Sequence, residues 1–267
     1  MKKLFPVIFL LLLVACNKQK SSEEESKTES TPLIYNSYVD VYTHDTNAFT
    51  EGLLFHEGKL FESTGASGLP QTRSLFGEVD LKTGNIDIKV ELDREKYFGE
   101  GITFLNGRVY QLTYKSRIGF VYDDKTYQKI QEFTIPSKEG WGLTTDGHFL
   151  IMSDGTGKLT YLDPTSLKVS KRLSVTENGY VKQNLNELEY VAGYIYANVW
   201  MTNEIVKIDA KDGKVVGRID LTPYATDAIN TFPEAMEMNG IAYHPDRKSF
   251  FITGKLWPKI YEIKIAM

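Results

Sequence analysis

The sequence predicts an all-β fold, a five-bladed β-propeller closed by an N-terminal strand. Three observations lead there. Five segments of the chain share one hairpin pattern, an apolar run, a Gly or Asp turn and a second apolar run. The first four are each followed by a second hairpin. The fifth is short by one strand, and a strand at the other end of the fold is free to supply it.

Ahead of the repeats, residues 1–16 read as a lipoprotein signal peptide. Lys2 and Lys3 precede a mainly apolar run from Leu4 to Ala15 that is too short to span a bilayer. Leu13-Val-Ala-Cys16 then places a small residue before the chain's one cysteine. A chance thiol is the bland alternative. The position of Cys16 at the end of the run points instead to its diacylation, with membrane contact through this lipid anchor alone. Residues 17–33 include Ser21-Ser-Glu-Glu-Glu-Ser26 and cannot bury enough apolar surface to order themselves, so a disordered tether is expected. The expected location is the bacterial cell envelope, periplasmic or surface-facing. The propeller then takes residues 34–267 as one domain.

The hairpins begin at Glu51-Gly-Leu-Leu-Phe, Glu100-Gly-Ile-Thr-Phe, Trp141-Gly-Leu-Thr-Thr, Asn186-Glu-Leu-Glu-Tyr and Asn239-Gly-Ile-Ala-Tyr, and turn on Glu-Gly, Asn-Gly, Asp-Gly, Ala-Gly and a Pro-Asp segment. The second hairpins start at Phe76, Gly119, Leu159 and Ile205, and an Asp near the end of each third strand suits the turn that follows. Four strands over roughly 45 residues make a propeller blade. After Lys255 only Ile260-Tyr-Glu-Ile-Lys-Ile remains, and Tyr38-Val-Asp-Val-Tyr can pair with it as the outer strand, which removes an open edge. An open sandwich with coincidental spacing is the alternative, and five hairpins in one register count against it.

Composition narrows the function. The net charge is −4 with no basic cluster, which argues against a nucleic-acid partner. With a single cysteine the fold has no disulfide to rely on. The four histidines are scattered without ligand spacing, so no metal and no cofactor is expected.

In a propeller, residues before strand one and after strand two of every blade meet at one mouth. The first set is Glu51, Glu100, Trp141, Asn186 and Asn239; the second is Thr64 or Gly65, Tyr114, Asp154, Trp200 and Lys255. Large aromatics beside Glu and Lys indicate a pocket rather than a rim of small turn formers. Each residue also has a plainer reading. Glu100 could simply pair with Lys255, Trp141 and Trp200 could fill core, and Asn186 and Asn239 could form turns. Asp154 in Ser-Asp-Gly reads as a turn residue, and Trp257 beside Pro258 as core.

The strings Phe98-Gly-Glu-Gly-Ile-Thr, Glu139-Gly-Trp-Gly-Leu-Thr, Leu185-Asn-Glu-Leu-Glu-Tyr, Ala197-Asn-Val-Trp, Asn239-Gly-Ile-Ala and Thr253-Gly-Lys-Leu-Trp-Pro closely resemble those of the plant and bacterial type of glutaminyl-peptide cyclotransferase. The resemblance covers most of residues 38–264 in order. It implies a five-bladed propeller that closes N-terminal glutamine of peptides or proteins into pyroglutamate without a catalytic metal. It further implies Glu100 as the acid–base carboxylate, Asn186 and Lys255 as polar partners, Trp141 and Trp200 as aromatic walls, and Phe98 and Phe49 as pocket lining. Glu51 stands where many relatives carry Gln, and Tyr114 where the plant enzyme has Trp. Two other classes remain open on the residues. One is a calcium-dependent propeller lactonase or hydrolase using Glu100, Asn186, Asn239 and Asp154, which Lys255 and the count of five blades disfavour. The other is a non-catalytic binding lipoprotein, which would tolerate loss of Glu100.

Overall fold

The structure, a computed structural model, describes residues 1–3 and 30–266. Residues 4–29, which hold Cys16, the rest of the expected signal peptide beyond residue 3 and the tether up to residue 29, lie outside the described residues.

The chain opens with β1 (Asn36–Thr43). Blade one is β2 (Thr50–His56), β3 (Lys59–Thr64), β4 (Leu75–Val79) and β5 (Ile86–Glu91). Blade two is β6 (Gly99–Leu105), β7 (Arg108–Thr113), β8 (Ile118–Asp123) and β9 (Lys129–Thr134). Blade three is β10 (Leu143–Thr145), β11 (Leu150–Met152), β12 (Lys158–Leu162) and β13 (Val169–Ser174), followed by a small hairpin, β14 (Thr176–Glu177) and β15 (Tyr180–Val181). Blade four is β16 (Leu185–Val191), β17 (Tyr194–Val199), β18 (Glu204–Asp209) and β19 (Val215–Asp220). A helix, α1 (Thr222–Thr231), leads to blade five, β20 (Met238–His244), β21 (Ser249–Gly254) and β22 (Lys259–Ile265).

Each blade is a four-stranded antiparallel sheet, and the fifth has the order β1-β22-β21-β20. The N-terminal strand therefore closes the ring, with Tyr38 opposite Ile263 and Val41 opposite Tyr261. His44 N–H donates to Pro258 O, and Leu256 N–H to Ala48 O, just past the seam. The fifth blade has no covalent link to its outer strand, so non-covalent contacts, the β1–β22 pairing first among them, hold the ring shut.

The strand pattern follows from position. Inner strands are covered on both faces, and every residue of β6 is buried. Outer strands alternate or face solvent, as in β9. The core is divided into layers, one between each pair of neighbouring blades. Phe61 and Phe76 meet Ile102, Phe120 and Tyr122 between blades one and two. Leu112 meets Leu143 and Met152 between two and three. Ile151 and Tyr161 meet Leu188 and Ile195 between three and four. Tyr196 meets Phe250 and Tyr261 between four and five, where Trp257 is fully buried as expected for core. Leu53 and Leu60 meet Phe251 and Ile260 across the seam.

The expected Asp turns are present. Asp80, Asp123, Asp163 and Asp209 each accept a backbone N–H from two residues on, which closes the turn between strands three and four.

Three features depart from the sequence reading. The β14–β15 hairpin and α1 occupy stretches read as connections. The helix has Pro223 in its first turn, buries Ala225 and Ala228, and ends at Phe232 before Pro233, so the chain is steered by proline at both ends. The expected tether, residues 17–33, also meets the fold earlier than its boundary. Arg218 N–H donates to Pro32 O and Ile34 N–H to Arg218 O, so the described end of that stretch lies along the edge of β19.

Inner strands approach so closely that glycine is required at some points. A Cβ on Gly142 would lie 2.2 Å from the Asn186 carbonyl oxygen of the next blade. Gly142→Ala should lower the free energy of unfolding by about 3 kcal/mol, the upper end for overpacking. Urea denaturation reads this directly, and an unchanged midpoint would show that the ring can yield there.

Candidate active site

The inner strands of blades one, two, four and five share a β-bulge at one level near the mouth. Glu51, Glu100, Asn186 and Asn239 stand at these bulges, where the inner strand carries one residue more than its partner. Blade three does the same with Trp141 and Gly142, which both bond to the Ser153 backbone. A bulge bends the strand and re-aims a side chain that would otherwise alternate across the sheet. Here it turns the leading residue of each hairpin toward the central axis.

Hydrogen bonds at this level join every blade to the next. Ser63 Oγ donates to Glu100 O at 2.6 Å, Gly101 N–H to Trp141 O at 2.9 Å, and Ser153 Oγ to Asn186 O at 2.7 Å. Gly240 N–H donates to Asn198 Oδ1 at 3.0 Å, and Asn239 Nδ2 to Thr50 O at 3.0 Å. The residues after strand two are in register with the chain two residues before each bulge. Gly65, Tyr114, Trp200 and Lys255 donate their N–H groups to the carbonyls of Phe49, Phe98, Asn184 and Glu237.

These elements enclose a cavity of about 230 Å³ lined by Phe49, Glu51, Phe98, Glu100, Tyr114, Trp141, Asn186, Trp200, Glu237 and Lys255. All the residues expected at the mouth are among them except four. Asn239 is fully buried behind the wall, and its Nδ2 donates to Glu51 Oε2 at 2.9 Å, so it supports Glu51 rather than lining the cavity. Asp154 accepts from Thr156 N–H, a turn role. Thr64 is not at the wall, and Gly65 holds the register position. The missing side chain of Gly65 leaves the space filled by the Phe98 ring, 2.1 Å from where a Cβ would stand.

Glu237 was not found from the hairpin register. It lies outside the strands, after α1, yet it stands two residues before a bulge as Phe49 and Phe98 do. Alternation along the chain brings all three to the same side, and that spacing is the signal that could have found it.

The charged groups form an unequal set. Lys255 Nζ lies 2.9 Å from Glu51 Oε1 and 3.1 Å from Glu237 Oε1, and 4.5 Å above the Phe49 ring. The simple pairing of Glu100 with Lys255 is not formed. Glu100 Oε2 is buried with no hydrogen-bond partner among the described residues, and so is Asn186 Oδ1. Burial, then the charge of Glu51, holds the Glu100 carboxyl well above the usual carboxylate range, against the pull of Lys255. Burial also pushes Glu51 up to about 7, although Lys255 opposes it. Lys255 is disfavoured by burial but held charged by Glu51, Glu237 and Glu100, and is raised above its ordinary value. Burial works against Glu237 too, and Lys255 brings it below its ordinary value.

The aromatic walls are fixed by carboxylates. Trp141 Nε1 donates to Glu139 at 3.0 Å and Trp200 Nε1 to Glu237 at 3.4 Å, and the two rings meet edge to face at 5.7 Å. Phe98 packs between Phe49 and Tyr114, and Lys115 covers the Tyr114 ring. With both indole N–H groups engaged, the walls offer rings to an occupant. Among the described residues no group of His, Cys, Asp and Glu is arranged to hold a metal ion.

Residues 9–265 match the glutamine cyclotransferase family. The chain belongs to that family. It is 41% identical over 229 residues to the glutaminyl-peptide cyclotransferase of Arabidopsis thaliana, covering 85% of this chain and 70% of the relative. The crystal structure of Myxococcus xanthus glutaminyl cyclase superposes with a TM-score of 0.79 at 34% identity, over 88% of this chain and 98% of that one. Family membership agrees with the five-bladed fold and with an enzyme rather than a passive binding surface.

The geometry sets the titration of Glu100 apart from an isolated buried acid. Glu51→Gln removes a neighbouring negative charge and frees the field of Lys255 for Glu100. Both changes favour the carboxylate, so Glu100 should titrate at lower pH in this variant. Carbon-13 NMR of its carboxyl group tests this, and an unmoved or higher titration would mean the two groups do not interact.

Proposed function

We propose that the protein is a glutaminyl-peptide cyclotransferase acting on peptides or proteins with N-terminal glutamine, and that Glu100 is its acid–base group. The observation that carries the reading is the Glu100 carboxyl itself, buried at the cavity wall with Oε2 unpaired among the described residues while Lys255 is occupied by two other carboxylates.

The reaction is an intramolecular aminolysis. The α-amine nitrogen attacks the side-chain carboxamide carbon, a lactam C–N bond forms, the original amide C–N bond breaks, and ammonia leaves. From the α-ammonium two protons must come off the attacking nitrogen; one must reach the departing nitrogen and the other is released to solvent or leaves with the ammonia as ammonium. A single carboxylate beside both nitrogens can carry the transferred proton across. An ordinary Glu is too weak a base for an α-ammonium of pKa about 8. Burial and Glu51 raise Glu100 toward it, which lowers the cost of the first transfer. An incoming ammonium also supplies the counter-charge that Glu100 lacks.

The other groups have roles that follow from place. Lys255 has one N–H left beyond its two carboxylates and can stabilise charge developing on the carboxamide oxygen. Asn186 Oδ1 can accept an N–H of the attacking nitrogen, a bond that strengthens as that nitrogen gains positive charge in the attack. The rings of Trp141, Trp200, Phe49 and Phe98 exclude water and confine the side chain to the curled form that brings nitrogen near carbon.

A Gln-initiated dipeptide incubated with the protein should release ammonia and yield the pyroglutamyl product. Glu100→Gln keeps shape but cannot shuttle a proton, and should reduce turnover by about a hundredfold or more at unchanged fold. Near-normal turnover by that variant would remove Glu100 from the role.

The localisation proposal rests on residues 1–16 alone: a lipid on Cys16 would hold the enzyme at the cell envelope. Cys16→Ser should release an active enzyme from the membrane fraction. A variant that stays membrane-bound would refute the anchor.

A further inference from the structure

At the second residue of the bulge, four blades carry glycine: Gly52, Gly101, Gly142 and Gly240. The ring is tight at that level. A Cβ on Gly52 would lie 3.1 Å from Gly101 Cα, and one on Gly101 would lie 2.4 Å from Leu143 N. Blade four carries Glu187 there instead. Its side chain is 1% exposed, and it is not among the cavity-lining residues.

The Glu187 carboxyl spans two blade interfaces. Oε1 accepts from Leu53 N–H of blade one at 3.2 Å, and Oε2 accepts from Ile241 N–H of blade five at 2.8 Å. Glu189, two residues on and on the same face, accepts from Tyr243 N–H at 2.8 Å. The inner strand of blade five is thus fastened to blade four by side chains, two rungs deep. Both amides taken by Glu187 lie one or two residues past a bulge that carries a site group. Leu53 follows Glu51 and Gly52, and Ile241 follows Asn239 and Gly240. Glu187 itself follows Asn186.

We propose that Glu187 is a positioning residue of the active site, whose carboxyl fixes Asn186 of blade four relative to Glu51 of blade one and to the Asn239 that supports it. This rests on the cyclotransferase reading. The three groups come from three separate sheets, and no covalent element shorter than a whole blade links them. Their spacing is set by how the inner strands meet, and at this point the strands of blades one and five meet the carboxyl of Glu187.

The test is Glu187→Gln, with Glu187→Asp as second variant if the first does not fold. Gln keeps the volume but offers one acceptor oxygen, so its amide nitrogen faces a backbone N–H and one rung is lost. Asp keeps the carboxyl group and withdraws both oxygens by one methylene. Kinetics on a Gln-initiated peptide, well below the melting temperature, should show turnover reduced by about tenfold to a hundredfold, the range for sub-ångström to ångström misplacement. The Michaelis constant should stay within about twofold, because an interaction realised late in the reaction is the one disturbed. The acidic limb of the pH profile should not move, and the Leu53 or Ile241 amide should exchange faster. A folded variant with full turnover, whatever its melting temperature, would overturn the proposal and leave Glu187 a stabilising residue. So would a rise in the Michaelis constant alone or a shifted acidic limb, which would signify binding or charge rather than position. A wild-type protein that forms no pyroglutamate would instead sink the cyclotransferase reading. The side-chain amide resonance of Asn186 then decides the positional claim, supported if Glu187→Gln displaces it and overturned if it does not.

Discussion

Five strands closed around one axis must bring their backbones into contact, and the rest of this structure depends on how each inner strand meets that contact. The shared bulge is the answer. It places a compact residue where neighbouring backbones touch and turns the residue before it toward the axis. Packing and chemistry are thereby divided between adjacent positions. Gly52, Gly101 and Gly142 satisfy the close approach, while Glu51, Glu100, Trp141 and Asn186 face the cavity and Asn239 backs it. Hydrogen bonds across all five interfaces at this level hold the ring in one arrangement. A site assembled from different sheets can be rigid only if those interfaces are.

Electrostatics inside the ring follow from an imbalance of three carboxylates and one ammonium. Lys255 is engaged by Glu51 and Glu237 and forms no ion pair with Glu100. Glu100 is left with burial and a like charge, and both act in one direction on its proton affinity. An ion pair between Glu100 and Lys255 would have had the opposite effect, holding Glu100 as a weak base. The value of Glu237 is then indirect. It occupies Lys255, and through Trp200 Nε1 it ties the charged group to an aromatic wall.

Much of this was legible in the sequence because a propeller writes its geometry as a repeat. Hairpin spacing located the blades, the missing fifth strand located the seam, and strand ends located the mouth. What was missed lies partly where the repeat is interrupted and partly in what register cannot tell. Helix α1 occurs in one connection only and has no side-chain cap to announce it. Glu237 sits at the end of that same connection. Asn239 was placed at the mouth by register alone, and register does not tell whether a side chain lines a cavity or stands behind it. The pairing of Lys255 was also out of reach, since three acids converge there and only distances choose among them.

One exception to the repeat was visible and carried meaning. The second residue of each hairpin reads Gly, Gly, Gly, Glu, Gly. In a ring where backbone contact requires glycine, a glutamate at that place must send its side chain somewhere that the symmetric arrangement leaves open. The open place is the junction of blades four, five and one, which is also where the N-terminal strand closes the fold. Three interfaces can close glycine against backbone because their blades are joined in sequence and similar in build. The remaining two must accommodate a long connection containing α1 and a blade assembled from both chain ends. A carboxyl that reaches backbone amides on two strands tolerates such irregular spacing better than direct contact does, since its reach adjusts through side-chain torsions. The departure from fivefold symmetry at Glu187 is therefore the counterpart of the departure at the seam, and the groups placed in the pocket by blades four, five and one depend on both.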